Sequence, residues 1–141
     1  MPTVGEVQQK VQRTLADLFG SVKVAANGMF VLNSGSAAVG VVVEPFMNDH
    51  VVVKVMSFVL AEFKITPEVY KWVATSGQAF EFGTFSVVEG DKPMLRLSHS
   101  LLGDFLDPEE LRMAVMFVGL IADKTDDELK AKFGGKRMAD N

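Results

Sequence analysis

The chain contains no cysteine. That excludes disulfides, thiolate metal sites and a cysteine nucleophile, and it is compatible with a reducing compartment. Histidine is nearly as scarce: His50 and His99 are the only two, and neither belongs to a metal-spaced motif such as HExxH. No stretch gathers Lys and Arg over a long span, and the net charge is −4. Nucleic-acid binding needs a cationic stripe that displaces counterions, so none is expected, and Lys136-Arg137 reads as a solvated end. The longest apolar run, Met113 to Ala122, is too short to cross a bilayer as a helix. Met1-Pro2-Thr3-Val4-Gly5-Glu6 has neither the basic nor the apolar region of a secretory signal. A cytoplasmic protein with no membrane contact is expected.

Catalytic motifs are missing too. There is no GxSxG elbow, no Walker loop and no GxGxxG. Ser98 and Ser100 flank His99, but adjacent strand residues point to opposite faces, so they make a poor triad. Gly35 to Gly40 runs from a turn into a strand and is no phosphate cradle. Acids are plentiful at Asp104, Asp107, Glu109, Glu110, Asp123, Asp126, Asp127 and Glu128. Several stand at expected helix starts, where capping and the helix dipole explain them. Tyr70 and Trp72 share one short segment with a single basic neighbour, Lys71, and read as core or interface packing. No catalytic residue, metal or cofactor is expected.

What is present is a core-forming chain of 141 residues, 48% hydrophobic and 23% charged, which fits one domain. The spacing assigns residues 1–135 to a single α+β domain and 136–141 to a flexible C-terminal tail. Thr3 and Glu6 form a capping box, and Val4, Val7, Val11, Leu15, Leu18 and Phe19 follow at helical spacing up to Gly20. Strands are expected over Val22 to Ala25, Met29 to Asn33, Ala37 to Glu44 and His50 to Leu60. Asn27-Gly28, Ser34-Gly35, and then Pro45 with Asn48-Asp49, separate them. Thr66-Pro67-Glu68 opens a second helix that Gly77 stops. Ala79 to Val88 and Met94 to Leu101 form a hairpin around Gly90-Asp91, and Asp107-Pro108-Glu109-Glu110 opens a third helix. Asp123-Lys124-Thr125-Asp126 is expected to break it and start a short last helix. The order is α-β-β-β-β-α-β-β-α-α, a mostly antiparallel sheet flanked by helices.

The hairpin has two possible registers. With a two- or four-residue turn, Phe85, Val87 and Met94 lie beside Arg96 on the face away from Leu95 and Leu97. With a three-residue loop, Phe85 and Val87 join Leu95 and Leu97, and Phe80 and Phe82 move to the face of Met94 and Arg96. A slip of one residue exchanges the faces. The first register makes Phe85, Val87, Met94 and Arg96 a candidate partner-binding set. The third helix is apolar all round from Met113 to Ala122, which asks for burial on several sides. Met113, Met116, Phe117 and Leu120 are therefore candidates for a homodimer interface.

Several segments then read together: Phe82-Gly83, Leu102-Gly103-Asp104-Phe105-Leu106-Asp107, Glu110-Leu111, Ala122-Asp123, Asp126-Asp127-Glu128-Leu129 and Phe133-Gly134-Gly135. In these, and in element order along nearly its whole length, the chain resembles the YbjN-type family of the type III secretion chaperone-like superfamily. The resemblance implies an α+β domain, often dimeric, without catalytic residues. In the chaperone branch such domains bind extended segments of client proteins; the YbjN branch has been linked to regulation of stress and motility. The chain has four expected strands before its second helix where secretion chaperones usually show three. The expected function is a non-catalytic protein-binding module, chaperone-like or regulatory, whose client lies on an apolar surface or extends a sheet edge. The alternative is a small-ligand sensor with an apolar pocket between helix and sheet near Trp72 and Phe80.

Overall fold

The computed structural model describes residues 1–140. Its first helix, α1 (Val4–Phe19), starts where the capping box requires. The Glu6 amide donates to Thr3 Oγ1 at 3.2 Å and the Thr3 amide donates to Glu6 Oε1 at 3.2 Å. Val7, Val11 and Leu15 then recur every fourth residue and are buried. Thr3→Ala leaves the Glu6 amide without its cap; a loss of about 1 kcal/mol is expected, read as a lower urea midpoint with an unchanged slope.

Four strands follow: β1 (Lys23–Val24), β2 (Phe30–Ser34), β3 (Ala37–Phe46) and β4 (His50–Ala61). A second helix, α2 (Pro67–Thr75), leads to β5 (Thr84–Val88), β6 (Met94–Leu102) and the long α3 (Pro108–Phe133). The strands make one antiparallel sheet in the order β1-β2-β3-β4-β6-β5. The expected fold class is thus the observed one. Pro45 does not end β3: the strand pairs through it to Phe46 opposite His50.

One sheet face carries Phe30, Leu32, Val39, Val41, Val43, Val53, Val55, Leu97 and Leu95 in register, all buried. The helices pack on this face, with α3 spanning β2, β3, β4 and β6. The other face carries Val42, Val52, Lys54, Met56, Phe58, Arg96 and Ser98, all half-buried. The alternation of buried and half-buried residues along β4 is the period of two that a sheet with one packed face requires.

Two expectations are corrected. The β5–β6 loop holds the five residues from Glu89 to Pro93, an odd number, and Val87 pairs with Leu95 and Phe85 with Leu97. Phe85 and Val87 therefore face the helices, Phe85 only 2% exposed, while Met94 and Arg96 face the opposite way. Phe80 and Phe82 precede the strand and do not follow its alternation: Phe80 packs on Phe85, and Phe82 stacks on Phe117 of α3 with ring centroids 5.2 Å apart. Second, Asp123 to Asp126 does not break α3, which runs unbroken to Phe133. Thr125 Oγ1 donates to the Ile121 carbonyl at 2.7 Å, and Asp123 and Asp126 turn inward to Ser36. Thr125 thus bonds back within the helix, and the two carboxylates that would otherwise compete with the helix backbone are occupied elsewhere.

After Gly135 the chain returns to the sheet. Lys136 and Ala61 exchange two backbone hydrogen bonds of 2.8 Å. A 3-10 turn (Met138–Asp140) follows, where Asp140 meets Arg137 at 3.0 Å and Lys130 at 2.8 Å. These cations hold the Asp140 carboxyl far below the usual carboxylate range. Asn141, the last residue of the expected tail, lies outside the described residues.

Candidate peptide-binding groove

Gly119 sets how closely α3 approaches the sheet. A Cβ built on it would stand 2.7 Å from Ser34 Oγ and 2.8 Å from Ser34 Cβ, so only a residue without a side chain fits. Glycine inside an apolar helix is costly by propensity, and here close packing explains it. The contact places the start of β3 and the end of β2 under the middle of α3. Ser36, in the turn between those strands, donates its amide and its hydroxyl to Asp123 Oδ1, at 2.8 Å and 2.7 Å. The same hydroxyl also meets Asp126, whose other oxygen is buried without a partner among the described residues. The Ser36 bonds hold the Asp123 carboxyl below its ordinary pKa.

Between this tight contact and the C-terminal end of α1 lies a gap. The gap is a groove of about 400 Å³ with Leu32 and Val39 as its floor. Phe19 and Ser21 form one wall, Val115, Met116, Phe117 and Leu120 the other. Asn33, Ser34 and Asp123 supply its polar end. The volume falls in the range of sites that take small apolar ligands or side-chain anchors. Its rim is apolar as well: Met116 is 45% exposed and Leu120 56%.

The four residues expected to form an interface on the third helix, Met113, Met116, Phe117 and Leu120, do share one side of α3. That side borders the groove at Met116, Phe117 and Leu120, with Met116 and Leu120 the most open. Of the four expected on the hairpin, only Met94 and Arg96 reach the second sheet face, where Arg96 donates to Ser86 Oγ at 3.4 Å and its Nε has no partner. Phe85 is core, in edge contact with Trp72 at a centroid distance of 4.9 Å. Trp72, Phe80 and Phe85 together fill the space between α2 and the sheet.

The groove was not singled out from the sequence. Its parts come from four elements, and only the small residues of Ser34-Gly35 and Gly119 signal the close approach that frames it. The acids divide in an instructive way. Asp107 does cap α3, accepting the Glu109 amide at 2.7 Å. Asp104 instead accepts the Val51 amide at 2.8 Å and meets His50 Nδ1 at 2.5 Å, clasping the β3–β4 turn to the β6–α3 turn. Those bonds, that to His50 first, hold the Asp104 carboxyl below its ordinary pKa. His99 lies on the helix side against Phe82, and burial lowers its pKa. Among the described residues no group of three His, Cys, Asp or Glu is placed to hold a metal, and no helix is long and apolar enough to cross a membrane.

Comparison with known proteins adds two findings. Residues 5–141 match the family model TY-Chap1, described as T3SS (YopN, CesT) and YbjN peptide-binding chaperone 1. The structure is similar to the crystal structure of YbjN from E. coli, with a TM-score of 0.60, over 89% of this chain and 93% of that one. Sequence identity across that match is 11%, so the likeness is one of fold. No curated protein matches the chain in sequence.

Proposed function

The chain belongs to the TY-Chap1 family of T3SS and YbjN peptide-binding chaperones, and on that premise we propose that it binds an apolar segment of a client protein in the groove between α1 and α3. One observation carries this reading. The groove is a preformed, mostly apolar concavity of about 400 Å³ whose rim leaves Met116 and Leu120 open to solvent. Apolar side chains of a client would leave water there without the groove first having to open, which limits the ordering cost of binding. The family is described by peptide binding, not by a reaction, and a cytoplasmic site of action is part of the proposal.

Leu120→Glu tests it. The residue is exposed, so the fold should survive, which circular dichroism will check. A charge at the rim must be desolvated when an apolar segment seats, so affinity for labelled Leu- and Phe-rich peptides, read by fluorescence anisotropy, should fall on the order of tenfold or more. Unchanged affinity would remove the groove from the reading.

A second reading gives the outer side of α3, Met113, Met116, Phe117 and Leu120, to a second copy of the chain. The exposure of Met116 and Leu120 favours it. Light scattering on a dilution series separates the two, since a dimer that uses this stripe should dissociate in Leu120→Glu. Met94 and Arg96 are proposed as a separate contact on the second sheet face, supported by an Arg96 guanidinium with a single long hydrogen bond.

A further inference from the structure

Among the described residues, Asp123 is the only ionisable one lining the groove. Its Oδ1 is occupied by the amide and hydroxyl of Ser36, which fix the carboxylate in place. Its Oδ2 makes no hydrogen bond among the described residues and is not among the buried unpaired atoms. Among the described residues no Lys or Arg forms an ion pair with it, although seven such cation–carboxylate pairs occur elsewhere. Asp126 stands behind it on the same serine. The slot is thus mostly apolar and ends in a fixed carboxylate that no Lys or Arg among the described residues pairs with. Asn33 and Ser34, beside that charge, are neutral.

From this charge distribution we infer that the client segment is an apolar stretch bordered by a basic residue, with Lys or Arg seated against Asp123 Oδ2. The inference rests on the groove being the peptide site, as proposed above. Two features of the slot argue for it. A carboxylate already oriented by two hydrogen bonds loses little freedom on pairing with a cation, so more of the attraction survives as affinity. An acidic residue at the same place would meet like charge beside an apolar surface with little water to screen it, so the site selects against acidic flanks as well as for basic ones.

The test compares two labelled peptides that share one Leu- and Phe-rich block and carry Lys or Glu on both of its sides. Each is titrated against the full chain and against Asp123→Asn, which keeps the Ser36 hydrogen bonds but removes the charge. Glu68→Gln, on α2 and outside the groove, controls for the net negative charge of the chain. The Lys peptide should bind on the order of tenfold more tightly than the Glu peptide at low salt, and less so as salt rises. Asp123→Asn should remove most of that difference and Glu68→Gln little of it. Equal affinities on the unmodified chain would overturn the charge inference and leave peptide binding standing. A difference that persists in Asp123→Asn would overturn it too. Binding of neither peptide would sink both. Because the two peptides are compared on the unmodified chain, the test holds even if the variant folds poorly.

Discussion

Phe85→Ala should cost the fold about 3–5 kcal/mol. The side chain is among the largest that are fully buried, at 2% exposure, and it meets α2, the segment before β5, and β6. Trp72 of α2 lies edge-on to it at 4.9 Å, Phe80 at 5.7 Å, and Leu97 pairs with it across β5 and β6. Truncation loses the transfer energy of the ring and opens a cavity that three rigid neighbours cannot close. For a chain of this size the melting temperature should fall by roughly 10 °C. Trp72 gives a local readout, since loss of its aromatic partner should alter its fluorescence in the folded state. A change within about 1 kcal/mol would mean that α2 does not depend on this cluster for its place.

The second large effect is a test of sign. By helix propensity alone, replacing Gly119 with Ala in the middle of α3 stabilises by about 1 kcal/mol. Close packing predicts the opposite. The added Cβ would fall 2.7 Å from Ser34 Oγ and 3.2 Å from Val39 Cγ2, and the strand backbone behind Ser34 cannot rotate away. Gly119→Ala should therefore destabilise, and Gly119→Leu should cost about 3 kcal/mol or more, at the upper end of overpacking. Both are measured by urea unfolding. A stabilised Gly119→Ala would show that α3 is free to lift from β2 and β3. Since Ser34 and Val39 also line the groove, a lifted helix would change peptide affinity as well.

Signals confined to a few neighbouring residues were the ones that could be read from the sequence. Thr3 with Glu6, and Asp107 with Pro108, announce their helices because a cap is made by residues two or three apart. The valine-rich β3 and β4 announce themselves by composition. The register of the β5–β6 hairpin could not be read, because it turns on whether the loop from Glu89 to Pro93 holds an odd or even number of residues. Gly90-Asp91 marks a turn but not its length. The run Asp123 to Asp126 looked like a helix end because its usual partners are local; here the partner is Ser36, 87 residues earlier. The groove was hidden for the same reason. Phe19, Leu32, Val39 and Leu120 each satisfy a local pattern, and nothing local says that these residues meet around one groove.

The position of α3 in the chain has a consequence during synthesis. The valines of β3 and β4 are made first, and the helix that covers them, through Val118, Ala122 and Leu129, follows some 60 or more residues later. Until that helix emerges from the ribosome, the most β-prone and apolar part of the molecule lacks its main cover beyond the contact of α1 with β3, the circumstance in which nascent chains associate wrongly. The exposed interval should end abruptly rather than gradually, because one helix spans four of the six strands. A member of a family of peptide-binding chaperones thus itself displays an apolar segment until its last long helix is in place.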